Sequence, residues 1–178
     1  MFGTLNPPYR TILADPPWEY DDGFATGPGH GIWINRALPY SAMTSFDILT
    51  LPVWTLAADD ARLFLWATNR YLPVAFGVIA AWGFKYQQTL TWHKLDALSG
   101  SIAPNSEFLL VGVRGSPVRR GRVSSAVHAH AHSRTHSEKP KLFGDLIEAV
   151  SPGPYVELFA RSPRLGWDSW GYGYEVSA

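Results

Sequence analysis

Short apolar runs alternate along the chain with stretches in which apolar residues recur at every third or fourth position. The apolar runs predict buried β-strands at residues 9–14, 63–67, 84–92, 107–113 and 155–160. The helical spacing predicts three α-helices, which follow possible capping residues at Thr44, at Thr68-Asn69 and at Ser137. Because a helix separates most successive strands, the pattern is typical of an α/β fold.

The strands at 84–92 and 107–113 have no helix pattern between them, so these two should pair antiparallel. We therefore expect an α/β fold with a three-layer, Rossmann-like sheet that is mostly parallel but contains one antiparallel pair. Residues 124–134 and 166–171 show no regular period, and the first of these segments is predicted to be a loop.

The spacing also predicts which side chains face the core. The predicted inward positions are Phe46, Ile48 and Leu49 in the first helix, Leu72, Phe76, Ile79 and Ala80 in the second, and Leu142, Leu146, Ile147 and Val150 in the third. Alternation places Phe84, Tyr86, Leu90 and Trp92 on one face of their strand. Gly83 is expected to end the second helix.

The first strand ends in Asp15, Pro16, Pro17 and Trp18. Each proline lacks an N–H and favours an extended conformation in the residue before it, so this segment should be rigid. It presents the Asp15 carboxylate and the carbonyls around Pro16 as acceptors, with the Trp18 indole beside them. Two acceptors next to an aromatic ring suit a planar amine, such as the exocyclic amino group of a nucleobase.

A similar motif, Asn6-Pro7-Pro8-Tyr9, lies just upstream. Too few residues precede Asn6 to form the strand that would present this motif, whereas the segment from Tyr9 to Ala14 supplies such a strand for Asp15. We therefore interpret the first pair of prolines as shaping the entry of the chain into the sheet.

The composition is that of one globular domain. The chain has 178 residues, of which 46% are hydrophobic, and we expect residues 1–178 to form a single domain. No apolar run approaches the ~20 residues of a membrane helix, and the first residues lack the features of a signal peptide. Because cysteine is absent, a cytoplasmic location is favoured.

The net charge is zero at pH 7, but basic residues cluster between Arg114 and Lys141. Arg119, Arg120 and Arg122 in this segment either contact phosphate groups or belong to an ordinary solvated loop. Histidines at positions 128, 130, 132 and 136 could ligate a metal, but no acidic or thiol ligand accompanies them. We favour polar loop residues near nucleic acid and expect no metal.

A glycine-rich segment, residues 19–35, follows Trp18 directly and contains four glycines. Its length is that at which loops become functional or disordered. We interpret it as a lid over a bound base or cofactor, with an ordinary surface loop as the alternative. The sequence contains no GxGxxG motif, so a dinucleotide-binding protein of the usual kind is disfavoured.

Four separated blocks of the sequence resemble one enzyme family. They are residues 12–18, 38–43, 136–140 and 151–167. In these blocks, and in their order, the chain is similar to the DPPW-type adenine amino-methyltransferases, the family that contains the catalytic subunit of the messenger-RNA adenosine methyltransferase. The DPPW motif alone would be a weak signal, but its position after a strand and the three later blocks strengthen it.

The resemblance implies a methyltransferase domain that binds S-adenosylmethionine across the ends of the first and last predicted strands. By this resemblance, Lys139 pairs with the methionine carboxylate and Glu157 accepts hydrogen bonds from the ribose hydroxyls. Phe159 and Arg161 belong to the same cofactor site, and Asp15 also neighbours the methionyl ammonium group.

On the substrate side, the resemblance implies methyl transfer to the six-amino group of adenine in nucleic acid. Asp15, Pro16, Pro17 and Trp18 would form the catalytic motif, and Trp18 and Tyr40 would hold the base by stacking. DNA is favoured over RNA as the substrate, because no zinc finger or other RNA-binding extension is apparent. A homodimer or a pair of methyltransferase subunits is a further expectation.

Two positions depart from the family pattern. Family members often have a histidine where Pro163 stands and an asparagine where Tyr172 stands, so the cofactor contacts there must differ. These departures keep open a noncatalytic role as the nucleic-acid-binding partner of an active methyltransferase. Methylation of a protein amide is disfavoured, because enzymes of that kind characteristically begin the motif with asparagine rather than with Asp15.

Overall fold

The computed structural model describes residues 2–3, 5–19, 42–95, 105–131 and 139–171. These residues form one seven-stranded sheet with the strand order β5-β3-β4-β2-β1-β6-β7. The strands are β1 (Tyr9–Ala14), β2 (Ala57–Thr68), β3 (Lys85–Lys94), β4 (Ser106–Arg114), β5 (Val127–His130), β6 (Tyr155–Leu158) and β7 (Trp167–Trp170). The α-helices are α1 (Ser45–Thr50), α2 (Leu72–Ala81) and α3 (Lys141–Val150).

The sheet is mostly parallel. β1 pairs in parallel with β2 and β6, β6 with β7, and β3 with β5. β4 lies between β2 and β3 and is antiparallel to both. The predicted α/β, Rossmann-like fold with an antiparallel strand pair is therefore confirmed.

Side chains alternate between two cores, one on each face of the sheet. Ile12 and Ala14 of β1 pack in the core that contains residues of α1 and α2, whereas Leu13 packs in the core that contains residues of α3. Because successive side chains of a strand point to opposite faces, β1 is covered by helices on both sides. This is the three-layer arrangement that the apolar runs predicted.

Local signals set several element boundaries. The Thr44 side chain accepts a hydrogen bond from the Asp47 N–H at 3.1 Å and thereby caps α1, as predicted. Gly83 ends α2 with φ at 84°, a conformation that glycine adopts without strain. At the predicted cap site Thr68-Asn69, Thr68 precedes a single-turn 3-10 helix that begins at Asn69, and α2 starts after that turn. Pro140 stands just before α3. Ser137 lies outside the described residues.

The predicted helix faces were partly wrong. Phe46 is 72% exposed and Phe76 is 42% exposed, whereas Ala75 and Val78 fill the buried face of α2. In α3 the buried side chains centre on Phe143 and Ile147. Short apolar helices carry apolar residues on more than one face, so spacing alone did not fix which face is buried.

The sequence pattern missed two strands and one bulge. β5 and β7 are four-residue edge strands in the segments without a regular period, so the predicted loop at 124–134 was wrong over Val127–His130. An irregularity between Tyr86 and Gln88 reverses the phase of β3. Phe84 and Trp92 therefore lie on opposite faces, contrary to the prediction. No helix among the described residues is long and apolar enough to span a membrane.

Candidate active site

Four strands bring their ends to one edge of the sheet. Asp15 follows the last residue of β1, and Glu157 lies near the end of the neighbouring β6, paired in register with Leu13. Because β4 runs antiparallel, its first residues reach the same edge, where Trp92 of β3 pairs with Glu107. The site therefore forms where parallel strands end, which is the usual ligand-binding edge of such a sheet.

The Asp15 carboxylate is held by two cations from the end of the chain. The Lys139 ammonium lies 2.9 Å from Asp15 Oδ1 and donates a hydrogen bond to Oδ2 at 3.0 Å. An Arg161 guanidinium nitrogen lies 3.7 Å from Asp15 Oδ2. Asp15 thus meets two residues that follow it by 124 and 146 positions in the sequence.

Glu107 and Lys94 extend this cluster. Glu107 Oε2 lies 3.4 Å from the Lys139 nitrogen, and Glu107 Oε1 accepts from Lys94 at 2.6 Å. Sequence reasoning missed both residues. Their positions in the predicted strands could have indicated the contact. A carboxylate near the start of one strand and a lysine at the end of its antiparallel neighbour lie at the same edge of the sheet.

The alternating charges stabilise one another. Burial acts to lower the pKa of Lys139, but the carboxylates of Asp15 and Glu107 outweigh it and raise the pKa overall. Burial acts to raise the pKa of Glu107, but Lys139 and Lys94 lower it overall. The ammonium group of Lys139 is also 5.4 Å from the centre of the Trp66 ring, within the range of a cation–π contact. Lys139 is therefore a fixed positive charge.

A cavity of about 320 Å³ opens beside this cluster. Its walls include Asp15, Lys139, Glu157, Phe159 and Arg161, which are the residues predicted for the cofactor. Its lining also includes Leu13, Trp66, Phe143, Pro163 and Arg164. Asp15 and the predicted cofactor residues therefore share one cavity, which has both polar and apolar walls, whereas Pro16, Pro17 and Trp18 do not line it.

Glu157 differs from the other acidic residues of the site. Burial penalises its charge and Asp15 adds repulsion, which together raise the pKa of Glu157 to about 7. Within residues 2–3, 5–19, 42–95, 105–131 and 139–171, the structure records no hydrogen bond to this carboxylate. A half-buried acceptor without a donor is suited to a ligand that supplies hydroxyl groups.

The turn after β6 is strained. Phe159 has φ at 63°, a left-handed conformation that bulky residues rarely adopt. The Ala160 N–H donates to the Trp170 carbonyl at 3.1 Å, and Gly171 lies so close that an added Cβ would be 2.6 Å from the Ala160 nitrogen. The packing against Gly171 holds the turn and so positions Phe159 and Arg161 at the cavity.

Trp18 does not lie open beside Asp15. Its indole is 5% exposed, stacks on Tyr71 with ring centres 5.0 Å apart, and donates to the Trp66 carbonyl at 3.1 Å. The prediction that Trp18 stacks on a base is therefore corrected, because the ring is occupied by core packing. The Pro16 carbonyl accepts from the Trp18 N–H at 2.9 Å, which leaves it one further lone pair.

The three basic residues Arg119, Arg120 and Arg122 are not brought to this cavity. Arg120 donates from its backbone to Val150 and from its side chain to the Tyr155 hydroxyl at 3.2 Å, at the far end of α3. The ten residues of α3 separate them from the site by about 15 Å.

Several predicted features lie outside the described residues. These are Tyr40, Tyr172, His132, His136 and all of segment 19–35 except Glu19. Of the remaining histidines, His128 and His130 lie on β5 and contact backbone carbonyls at 2.8 Å. Within the part of the chain that the structure describes, no group of three His, Asp or Glu residues is close enough to hold a metal ion.

The chain is similar to known methyltransferases over most of its length. Residues 9–173 match the MT-A70 family. The chain is 32% identical to the Type II methyltransferase M.MunI of Mycoplasma sp, in an alignment that covers 92% of this chain and 76% of that protein. It is 30% identical to a putative N(6)-adenosine-methyltransferase MT-A70-like protein of Medicago truncatula, over 92% of this chain and 26% of that protein. It is 29% identical to the human N(6)-adenosine-methyltransferase catalytic subunit METTL3, over 86% of this chain and 26% of that protein.

Proposed function

The chain belongs to the MT-A70 family, and we propose that it is an enzyme that methylates the six-amino group of adenine in nucleic acid, with S-adenosylmethionine as the methyl donor. The observation that carries the proposal is the position of Asp15. Its carboxylate stands directly after the interior strand β1, before two prolines and beside a cavity lined by Lys139 and Glu157. The hydrogen-bond acceptor for adenine and the candidate cofactor-binding residues therefore line the same cavity.

The cavity residues fit S-adenosylmethionine. Lys139 and Arg161 are cations that could bind its carboxylate, and Asp15 is an acceptor for its ammonium group. Glu157 is a carboxylate without a described donor, which suits a ribose diol. When bound, S-adenosylmethionine supplies an electrophilic methyl group. Phe159 and the other apolar wall residues exclude water from around these polar groups.

Asp15 and Pro16 would orient the amino group of adenine. The lone pair of this nitrogen is delocalised into the ring, so the free base is a weak nucleophile. Acceptors for both N–H bonds, the Asp15 carboxylate and the free lone pair of the Pro16 carbonyl, favour a pyramidal nitrogen and hold it in a reactive orientation. Asp15 does not need to remove a proton first, because methylation itself makes the nitrogen acidic.

We favour DNA as the substrate. The chain spans 76% of the Type II methyltransferase M.MunI, but only 26% of each of the two relatives above that are named for adenosine. Digestion of both nucleic acids after reaction, followed by mass spectrometry of the nucleosides, tests this choice. If methyladenine were found only in RNA, the substrate would be RNA and not DNA.

Methyl transfer by an Asp15 variant tests the mechanism. Asp15→Asn keeps the shape of the side chain but replaces one acceptor oxygen with a donor, so transfer of labelled methyl groups to adenine should fall on the order of 10²-fold. Asp59→Asn, an exposed aspartate at the opposite end of β2, is the control and should retain full activity. An Asp15→Asn enzyme with most of the wild-type rate would refute the proposed role.

The noncatalytic alternative makes a different prediction. A binding partner without its own chemistry would not need the cofactor, so calorimetry of the isolated chain with S-adenosylmethionine separates the two functions. Binding that is lost in Glu157→Ala supports the enzyme. Absence of binding by the wild-type chain favours the partner role. Light scattering would test the expectation of a homodimer or a paired subunit.

A further inference from the structure

A second cavity, of about 660 Å³, lies along the C-terminal half of α3. Its floor is apolar and includes Phe64, Leu90 and Val111 of the sheet, and Ile147 of α3 contributes to its side. Residues 121–126 form its outer wall. None of the residues that line it lines the cavity at Asp15, so this groove is a separate feature.

The groove carries positive charge without a compensating acid. Arg62, Arg119 and Arg122 line it, and none of its lining residues is acidic. The remaining polar residues in the lining are neutral: Gln87, Gln88, Ser124 and Ser125. A surface of this kind attracts anions and, through the amides, can form paired hydrogen bonds with planar groups.

Arg62 is the buried member of this set. It is 6% exposed, and it donates to the carbonyls of Val118 at 2.7 Å, Pro117 at 3.0 Å and Val150 at 3.4 Å. Burial and the nearby charge of Arg119 lower the pKa of Arg62. Carbonyl groups solvate this charge but do not neutralise it, so an anion in the groove would stabilise both arginines.

We propose that the groove binds a phosphate group and the adjoining nucleoside of the substrate strand, away from the base that is modified. This inference rests on the proposed function, because the phosphate is that of the nucleic-acid substrate. Arg119 and Arg122 contact the phosphate, the Arg62 charge attracts it, and the apolar floor takes the nucleoside. The groove would thus hold a flanking nucleotide while Asp15 holds the target base.

The distance from the first cavity to the Val150 end of the groove, where Arg62 lies, sets the spacing. From Lys141 at the first cavity to Val150 at the groove, α3 rises about 14 Å. A stacked strand advances about 3.4 Å for each nucleotide, so the bound phosphate lies about four nucleotides from the target adenine. Because the groove lies to one side of the site, only an extension in one direction along the strand can reach it.

Strand extension measures the effect. Calorimetry compares a single-stranded trinucleotide centred on adenine with strands extended by four nucleotides on the 5′ side or on the 3′ side. Wild-type protein should gain roughly tenfold in affinity from one extension and little from the other, the gain expected from a charge-assisted phosphate contact. Arg119→Ala/Arg122→Ala, which changes two exposed side chains, should abolish this gain. Because one phosphate contact is lost, the slope of log affinity against log salt concentration should also become shallower by about 0.7.

The matched control removes the same charge elsewhere. Arg10→Ala/Arg114→Ala changes residues that do not line the groove and should keep the directional gain. A gain retained in Arg119→Ala/Arg122→Ala, or lost equally in the control, would overturn the inference. The inference is supported if inorganic phosphate displaces the extended strand at concentrations that leave the trinucleotide bound. The affinities do not require methyl transfer, so an inactive protein with an arginine-dependent gain would contradict the proposed function but not the groove.

Discussion

Replacing Glu157 by glutamine should change how the stability of the protein depends on pH. The folded protein raises the pKa of Glu157 from 4.5 to about 7, because burial penalises the charge and Asp15 repels it. The folded state therefore binds more protons than the unfolded state between these values. Stability is highest when the carboxyl group is protonated and falls as the pH rises from 4.5 to about 7.

The magnitude follows from the difference between the two pKa values. Each pKa unit corresponds to 1.36 kcal/mol, so the ionised carboxylate costs about 3 kcal/mol at pH 8. About 2.5 kcal/mol of this cost develops between pH 5 and pH 8. Glutamine does not ionise, so Glu157→Gln should become more stable than the wild type, by that amount, over the same range.

Urea unfolding of both proteins at pH 5, 6, 7 and 8 measures the change in free energy. Glu148→Gln is the control, because a hydrogen bond from Arg164 lowers the pKa of Glu148. The stabilisation by the Glu148 carboxylate is complete above pH 4.5 and is lost only at lower pH. The difference in the free energy of unfolding between Glu148→Gln and the wild type should therefore be constant from pH 5 to pH 8. If the difference in the free energy of unfolding between Glu157→Gln and the wild type were also constant from pH 5 to pH 8, the folded protein would not destabilise the Glu157 carboxylate.

Two further substitutions test the supports of the two cavities. Arg62→Met removes the donor of three carbonyl groups and should lower the free energy of unfolding by about 3 kcal/mol in urea; a loss below about 1 kcal/mol would show that water replaces it. Gly171→Ala places a Cβ against the Ala160 backbone and should cost about 1–3 kcal/mol and weaken S-adenosylmethionine binding by calorimetry. Gly166 has φ at 80° and open space around it, so the control Gly166→Ala should lower stability without weakening the binding of S-adenosylmethionine. If both glycine variants lost the same affinity, the effect of Gly171→Ala would not be local to the turn.

The central strand and its motif could be predicted because their signals are local. The apolar run at Tyr9–Ala14 ends at Asp15 and two prolines, and β1 has the predicted bounds. The placement of Asp15, Lys139, Glu157 and Arg161 around one cavity came from the family resemblance, since no local pattern relates residues so far apart.

Other features depend on contacts that the sequence does not display. β5 forms by pairing with β3, and β7 by pairing with β6, although neither short edge strand alternates clearly. The bulge in β3 cannot be read from residue types, yet it decides that Trp92 packs beside α3. Trp18 was expected at a ligand surface because an aromatic residue after a strand fits either role, and only its contact with Tyr71 decided between them.

The ion pairs at the site connect residues that sequence reasoning treated separately. Lys139 contacts both Asp15 oxygens, so part of the acceptor capacity of Asp15 is already in use. Glu107 competes for the same ammonium group at 3.4 Å, but Lys94 holds Glu107 more closely, at 2.6 Å. Lys94 therefore weakens the competition and leaves Lys139 with Asp15. A carboxylate ligand that bound Lys139 would draw its ammonium group away from Asp15, so binding of the cofactor and the acceptor capacity of Asp15 should be coupled through Lys139.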